Sequence, residues 1–329
     1  MNCAILFTIF NRPETTRTVF DAIRKARPSR LYVAADGPRS ERPEDVALCQ
    51  HARQLATEVD WPCTLHTHFQ DRNMGCKYAM ISALDWFFSL EEAGIILEDD
   101  CLPHQDFFTY CLWALETYQQ DRSVWHINGN NFNAPSELFG DNTTAFTSLA
   151  QAWGWATWRD RWFKCEHNAF YLMSFSRTAY PQWRLSLEAK WNKLKHIREL
   201  QTGLSIWDYG WQVTILNHQG RCLSSRANLI SNLGDGPSAT HTPVDDRTHL
   251  PTRSMDGPLE ARHTLFNTSL NRWYETKMGM ASIRKAARYF LESTKTRYIL
   301  AFEALLARVL FFGVRHSVVA STGRSGSTL

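Results

Sequence analysis

The chain has 329 residues, enough for one large domain or two ordinary ones with a buried core. With 44% apolar and 21% charged residues it reads as globular, neither disordered nor fibrous. Thirty-six Lys and Arg against 33 Asp and Glu leave it at +3, which argues against a nucleic-acid partner in the absence of any dense basic run.

The first hundred residues alternate strand and helix. "AILFTIF" is a short β-rich run, and "NRPETTRTVFDAIRKA" follows with helix-period apolar positions Val19, Phe20 and Ile23. "RLYVAADGPR" predicts a second strand ending in a turn, "RPEDVALCQHARQLATEV" a helix and "PCTLHTHFQ" a third strand. "GCKYAMISALDWFFSLEE" predicts another helix and "AGIIL" a fourth strand. Near-continuous apolar strands in this order predict an α/β fold, a mostly parallel sheet flanked by helices. Ligands of such sheets sit beyond the carboxyl ends of the strands. Polar clusters fall there: Asn11-Arg12-Pro13, Asp36-Gly37, Asp71-Arg72-Asn73 and Glu98-Asp99-Asp100.

Beyond the helix "DFFTYCLWALETYQQD", the runs "SVWHINGNNF" and "TAFTSLAQAWGWATW" read as strands linked by an Asn- and Pro-rich loop. A helix is expected around "YPQWRLSLEAKWNKLKHIREL", another at "IWDYGWQVTILNHQG", a strand at "RCLSS" and a loop at "ANLISNLGDGPSATHT". Residues 243–280 read as polar and turn-rich, and 281–314 as a helical extension. The apolar stretch between Arg297 and Arg315 holds Glu303 and Arg308, so no membrane span is expected.

Eight scattered cysteines, without CxxC or paired metal spacing, read as thiols of a reducing compartment. "MNCAILFTIFNRP" has neither a basic leader nor a small-residue cleavage site, so no signal peptide is expected. The expected location is cytoplasmic, with peripheral association at the inner face of a membrane compatible with it.

Strand alternation puts Glu98 and Asp100 on one side, roughly 7 Å apart, and turns Asp99 to the other. Carboxylates are hard oxygen ligands suited to Mn²⁺ or Mg²⁺, which bridge a few carboxylates to substrate phosphates. The ordinary alternative is a solvated acidic turn. Acids on the fourth strand beside polar ends on the first three suit a nucleoside diphosphate better than they suit accident.

"FTIFNRPETT", "LYVAADGPR", "DRNMGCKYAMISAL" and "GIILEDDCLPHQDFF", in this order and spacing, resemble a GT-A-fold glycosyltransferase. The "EDD" form of the DxD motif is similar to that of the N-acetylglucosaminyltransferase I group. "QAWGWATWRDRW" and "NLISNLGDGPSATHT" resemble bacterial relatives of it, and the resemblance spans about residues 3 to 243. It implies a UDP-sugar donor, with UDP-N-acetylglucosamine as one candidate, a glycan acceptor of a surface polysaccharide, and inversion at the transferred sugar.

By position, the resemblance implies that Arg12, closing the first strand with Asn11, and Asp36 flank the uracil. Asp100 becomes the metal ligand, with Glu98 and Asp99 on ribose or donor sugar, and Arg72 or Lys77 reaches the diphosphate or donor. His241 falls where such enzymes carry a late histidine that meets metal or diphosphate. Asp208 in "SIWDYGWQ", at a predicted helix start beside Trp207 and Trp211, is the implied base for the acceptor hydroxyl. Among the thirteen tryptophans, Trp153 or Trp155 is expected near the donor sugar and most others in the core.

The tail "HSVVASTGRSGSTL" resembles the first phosphate-binding loop of PAPS-dependent sulfotransferases, a β-rich run entering a Gly/Ser/Thr loop. The expected organisation is therefore a glycosyltransferase domain over 1–245, a loop and helical extension over 246–316, and a flexible tail or the truncated start of a sulfotransferase-like module over 317–329. Two rivals remain. A sugar-nucleotide pyrophosphorylase would carry a Gly-rich, Arg-containing loop after the first strand, which "FNRPETT" lacks. A non-catalytic carbohydrate-binding module would suit the tryptophans.

Overall fold

A computed structural model describes residues 3–165, 207–234, 249–260 and 266–278. The expected alternation is present: β1 (Ala4–Ile9), α1 (Pro13–Ala26), β2 (Arg30–Ala35), α2 (Glu44–Ala56), β3 (Thr64–Phe69), α3 (Cys76–Leu90) and β4 (Ala93–Glu98). There follow β5 (Cys101–Pro103), α4 (Gln105–Thr117), β6 (Val124–Asn128), β7 (Thr144–Thr147), β8 (Trp155–Trp158), α5 (Arg159–Trp162), α6 (Asp208–Asn217), β9 (Arg221–Ser225), β10 (Ile230–Asn232) and α7 (Thr268–Lys277).

The main sheet has eight strands in the order β3-β2-β1-β4-β8-β6-β9-β7. Its β3-β2-β1-β4 half is parallel throughout, and β6 pairs parallel with β9. Only β8, between β4 and β6, and β7 at the edge run the other way. The fold is therefore mixed α/β with a mostly parallel, Rossmann-like sheet.

Helices cover both faces, as runs buried on both sides require. Ile5, Phe7, Ile9, Leu31 and Val33 pack with Val19, Phe20 and Ile23 of α1, Ala52 of α2 and Phe107 of α4. The alternate residues Ala4, Leu6, Tyr32 and Ala34 meet Met80, Leu84 and Phe87 of α3 and a tryptophan layer of Trp125, Trp155, Trp162, Trp207 and Trp211.

Several expectations change in the second half. "TAFTSLAQAWGWATW" is two separated strands, β7 at the sheet edge and β8 inserted against β4. The expected loop at "NLISN" contains β10, which pairs antiparallel with β5. The stretch read as turn-rich contains α7, N-capped by Asn267 and held by buried Leu270 and Tyr274. The helical extension, the phosphate-loop-like tail and the helix expected near 180–200 lie outside the described residues.

Candidate active site

Strand register builds the site's floor. Glu98, Thr8, Ala34 and His68 are successive cross-strand partners on β4, β1, β2 and β3, so period-2 alternation sends all four to the same face. Above them α3 offers small or flexible residues, Ala79, Met80 and Ala83, and between the layers lies a cavity of about 300 Å³. Phe10, Arg12, Asp36, Arg39, Asn73, Cys76 and Asp99 also line it.

Two acids of the triplet are tied down by one cation. Arg12 Nη2 donates to Asp99 Oδ1 at 2.6 Å and Arg12 Nη1 to Asp100 Oδ2 at 2.9 Å. The Phe10 amide donates to Asp99 Oδ2 at 3.0 Å, so buried Asp99 is a fixture between β1 and β4. The alternation expected to turn Asp99 away from Asp100 ends with β4 at Glu98, and the turn that follows lets one guanidinium take both carboxylates. Burial works against the charge of Arg12, but Asp99 and Asp100 outweigh it and raise its pKa. Burial lifts the Asp99 carboxyl to about 6, opposed by Arg12. Glu98 rises well above the ordinary range through burial, then through the charges of Asp100 and Asp99.

The late part of the chain closes on this turn through β10. The Leu233 amide donates to the Asp100 carbonyl at 2.7 Å, and Asn232 Nδ2 lies 3.4 Å from Asp100 Oδ1. A Cβ on Gly234 would fall 2.2 Å from Asp100 Oδ2, so only glycine lets the backbone pass the ion pair there. The segment that follows, with His241, lies outside the described residues.

Asp208 begins α6, as expected, with Trp207 and Trp211 buried beside it. Its charge reaches the cavity. It adds to burial and Glu98 in pushing the Cys76 thiol up to about 12, and it contributes to the rise at Glu98. Cys76 is open to the cavity yet surrounded by protein and acids, so it is a poor nucleophile.

Asp36 is held from all sides. Its Oδ1 accepts the amides of Gly37 and Met74, both at 2.8 Å, and its Oδ2 accepts the Gly75 amide at 3.1 Å and Asn73 Nδ2 at 2.9 Å. Burial raises its pKa against these bonds. Asn11 does not line the cavity; it donates to Asp45, which also receives Arg39 at 2.6 Å and 2.9 Å. Arg39 in turn lies 5.3 Å from the Phe10 ring at the cavity mouth.

Arg72 and Lys77 are not among the lining residues. Arg72 is exposed while its backbone packs on Gly37, and Lys77 sits over the Tyr78 ring. Trp155 is a correction: it is fully buried, stacked between His126 and Trp207 at 4.9 Å and 5.6 Å, and belongs to the core. Trp153 is half-buried with its ring against Phe132. Sequence reasoning passed over Arg39, His68, Gln70 and Asn73. Asn73 stood in a strand-end polar cluster, where the charge of Arg72 drew attention first.

Among the described residues no group of three or more His, Cys, Asp or Glu side chains is arranged to hold a metal ion. The donor chemistry fits a hard cation held by a single carboxylate. Asp100 Oδ1 accepts the Cys101 thiol at 3.4 Å and Asn232 Nδ2 at 3.4 Å, weaker partners than the Arg12 guanidinium on Oδ2. Hard divalent ions commonly take one or two carboxylates and complete their shells with phosphate and water.

No protein-family model matches the chain, and no curated protein matches it. Among solved structures it is similar to UDP-glucose pyrophosphorylase complexed with UDP-glucose, at 9% identity and a TM-score of 0.34, covering 68% of this chain and 90% of that one. The apo form of UDP-glucose pyrophosphorylase gives 9% identity and a TM-score of 0.32 over the same shares.

Proposed function

We propose that the chain is a metal-dependent glycosyltransferase of GT-A type that moves a sugar from a UDP-sugar to a glycan acceptor with inversion. One observation carries this reading. Glu98, Asp99, Arg12 and the ends of the first three strands line one cavity at the carboxyl edge of a parallel sheet, and Asp100 is bound to the same Arg12 beside it.

In this reading the slot between the strands and α3 takes the base, and Glu98 and Asp99 meet ribose and donor-sugar hydroxyls. Arg12, at the end of β1, would flank the base, with its guanidinium tied to Asp99 and Asp100. Asp100, with His241, would hold Mn²⁺ or Mg²⁺, which when bound offsets the negative charge of the departing UDP. Arg72, in the loop after β3, or Lys77, in the first turn of α3, would reach the diphosphate or donor from outside the cavity.

Asp208 takes the proton of the acceptor hydroxyl, whose oxygen attacks the anomeric carbon from the side opposite the diphosphate. Trp153 offers part of its ring to the donor sugar. A surface polysaccharide assembled in the cytoplasm is the acceptor class, which requires no membrane-spanning segment. Among the described residues no helix is long and apolar enough to cross a membrane.

A thermal-shift and calorimetric panel of UDP-sugars and free nucleotides with Mn²⁺ tests the reading. Stabilisation by UDP and at least one UDP-sugar is expected, and indifference to every nucleotide overturns it. Slow hydrolysis of the bound UDP-sugar, lost in Asp208→Asn while UDP binding survives, is expected of the base. Normal hydrolysis in that variant removes Asp208 from the role.

A further inference from the structure

A carboxylate has about four acceptor positions, and those of Asp36 are filled by Gly37, Met74, Gly75 and Asn73. None is left for a base in this arrangement. What the clamp does is orient Asn73. Its Nδ2 donates to Asp36 Oδ2 at 2.9 Å and to the Gly37 carbonyl at 3.0 Å. Both partners are acceptors only, so turning the amide over would set its oxygen against two others.

The amide oxygen is therefore the free end of Asn73. It has no hydrogen-bond partner among the described residues, it is not enclosed, and the residue lines the cavity. A fixed acceptor in a cavity that Thr8 and Ala34 of the sheet and Ala79 and Ala83 of α3 also line suits a ring that presents N–H. Uracil carries N3–H; cytosine carries a lone pair at the same position.

We infer that Asn73 Oδ1 distinguishes uracil from cytosine in the donor nucleotide, and that Asp36 acts on the base only through Asn73, as its positioning residue. This rests on the nucleotide reading above and deepens it. Gly37 belongs to the same device, since a Cβ there would lie 2.3 Å from the Arg72 backbone and force the loop away from Asp36.

The test is calorimetric titration of the full chain with UDP and with CDP, in Mn²⁺, for wild type, Asn73→Ala and Asp36→Asn. Wild type is expected to prefer UDP by about tenfold or more, the size of one well-placed hydrogen bond. Asn73→Ala should lose about that factor for UDP and little for CDP, which also reports that the fold is kept. Asp36→Asn should shrink the UDP-to-CDP ratio too, with faster hydrogen exchange at the Met74 and Gly75 amides. An unchanged ratio in Asn73→Ala, or a preference inverted towards CDP in Asp36→Asn alone, makes Asp36 the direct reader and overturns the inference while the nucleotide reading stands. Wild type binding neither nucleotide overturns both.

Discussion

Polar residues crowd the carboxyl ends of two sets of strands, and the two sets are spent differently. At the β6–β9 end, Asn128 donates to the Leu149 carbonyl and Ser224 Oγ and accepts the Gln151 amide. Asn131 donates to the carbonyls of Ser225 and Arg226, and Asn228 to those of Ile230 and Pro251. All three are fully buried, their bonds stitching loops to the sheet. At the β1–β4 end Arg12 bonds Asp99 and Asp100 beside a cavity that Arg12, Asp99 and Asn73 line, and Asn73 Oδ1 is left available. Left-over bonding capacity alone does not make a site, since Asn131 Oδ1 at the β6–β9 end is also unpartnered but enclosed; a polar strand end becomes a site when the spare capacity lines a cavity.

The comparison breaks most sharply at Arg12. Arg12→Ala strands Asp99, buried and deprived of its cation, and should cost about 3 kcal/mol in urea unfolding while abolishing nucleotide binding. Gly37→Ala should cost about 2 kcal/mol by overlap with the Arg72 backbone, and should weaken UDP binding because the loop carrying Asn73 shifts. Asn128→Ala should cost about 1.5 kcal/mol by orphaning buried partners, yet leave UDP affinity at the wild-type value. If Asn128→Ala weakened UDP binding as much as Gly37→Ala, the division between the two ends would fail.

The smallest effect is one of pH. Arg39, with help from Asn11, holds the Asp45 carboxyl at about 2, below its usual 3.8. Between those values the unfolded chain binds the extra proton, so this contribution is complete above the unfolded pKa and is lost as pH falls through about 2. The stability advantage of wild type over Asp45→Asn should shrink on going from about pH 5 to about pH 3, measured by urea midpoints. An advantage unchanged over that range would remove the Arg39–Asp45 pair from the support of the cavity mouth.

The first half was legible because its information is local. Apolar runs and turn signals mark the four strands, the three helices between them and the polar strand ends, while the register that aligns Thr8, Ala34, His68 and Glu98 comes from the pairing of the strands. The second half depends on pairing between distant segments. Nothing in "TAFTSLAQAWGWATW" says that Trp155–Trp158 will slot antiparallel against β4 while Thr144–Thr147 goes to the far edge. Nor does "NLISN" announce its pairing with Cys101–Pro103, which brings Gly234 onto the acids. The triplet was legible as an acidic strand end and its geometry was not, since the alternation assumed for Asp99 and Asp100 stops where β4 stops. Asn73 was hidden for another reason: its importance lies in which of its two amide atoms is left over.

The central claim is that the acids after β4 form the phosphate end of a nucleotide site. UDP titrated into wild type and Asp100→Ala, each with Mn²⁺ and with chelator, tests it most directly. The account predicts that UDP binds wild type tightly with Mn²⁺ and weakly with chelator, and that Asp100→Ala binds weakly in both. Equal, metal-indifferent binding in the two proteins would contradict it.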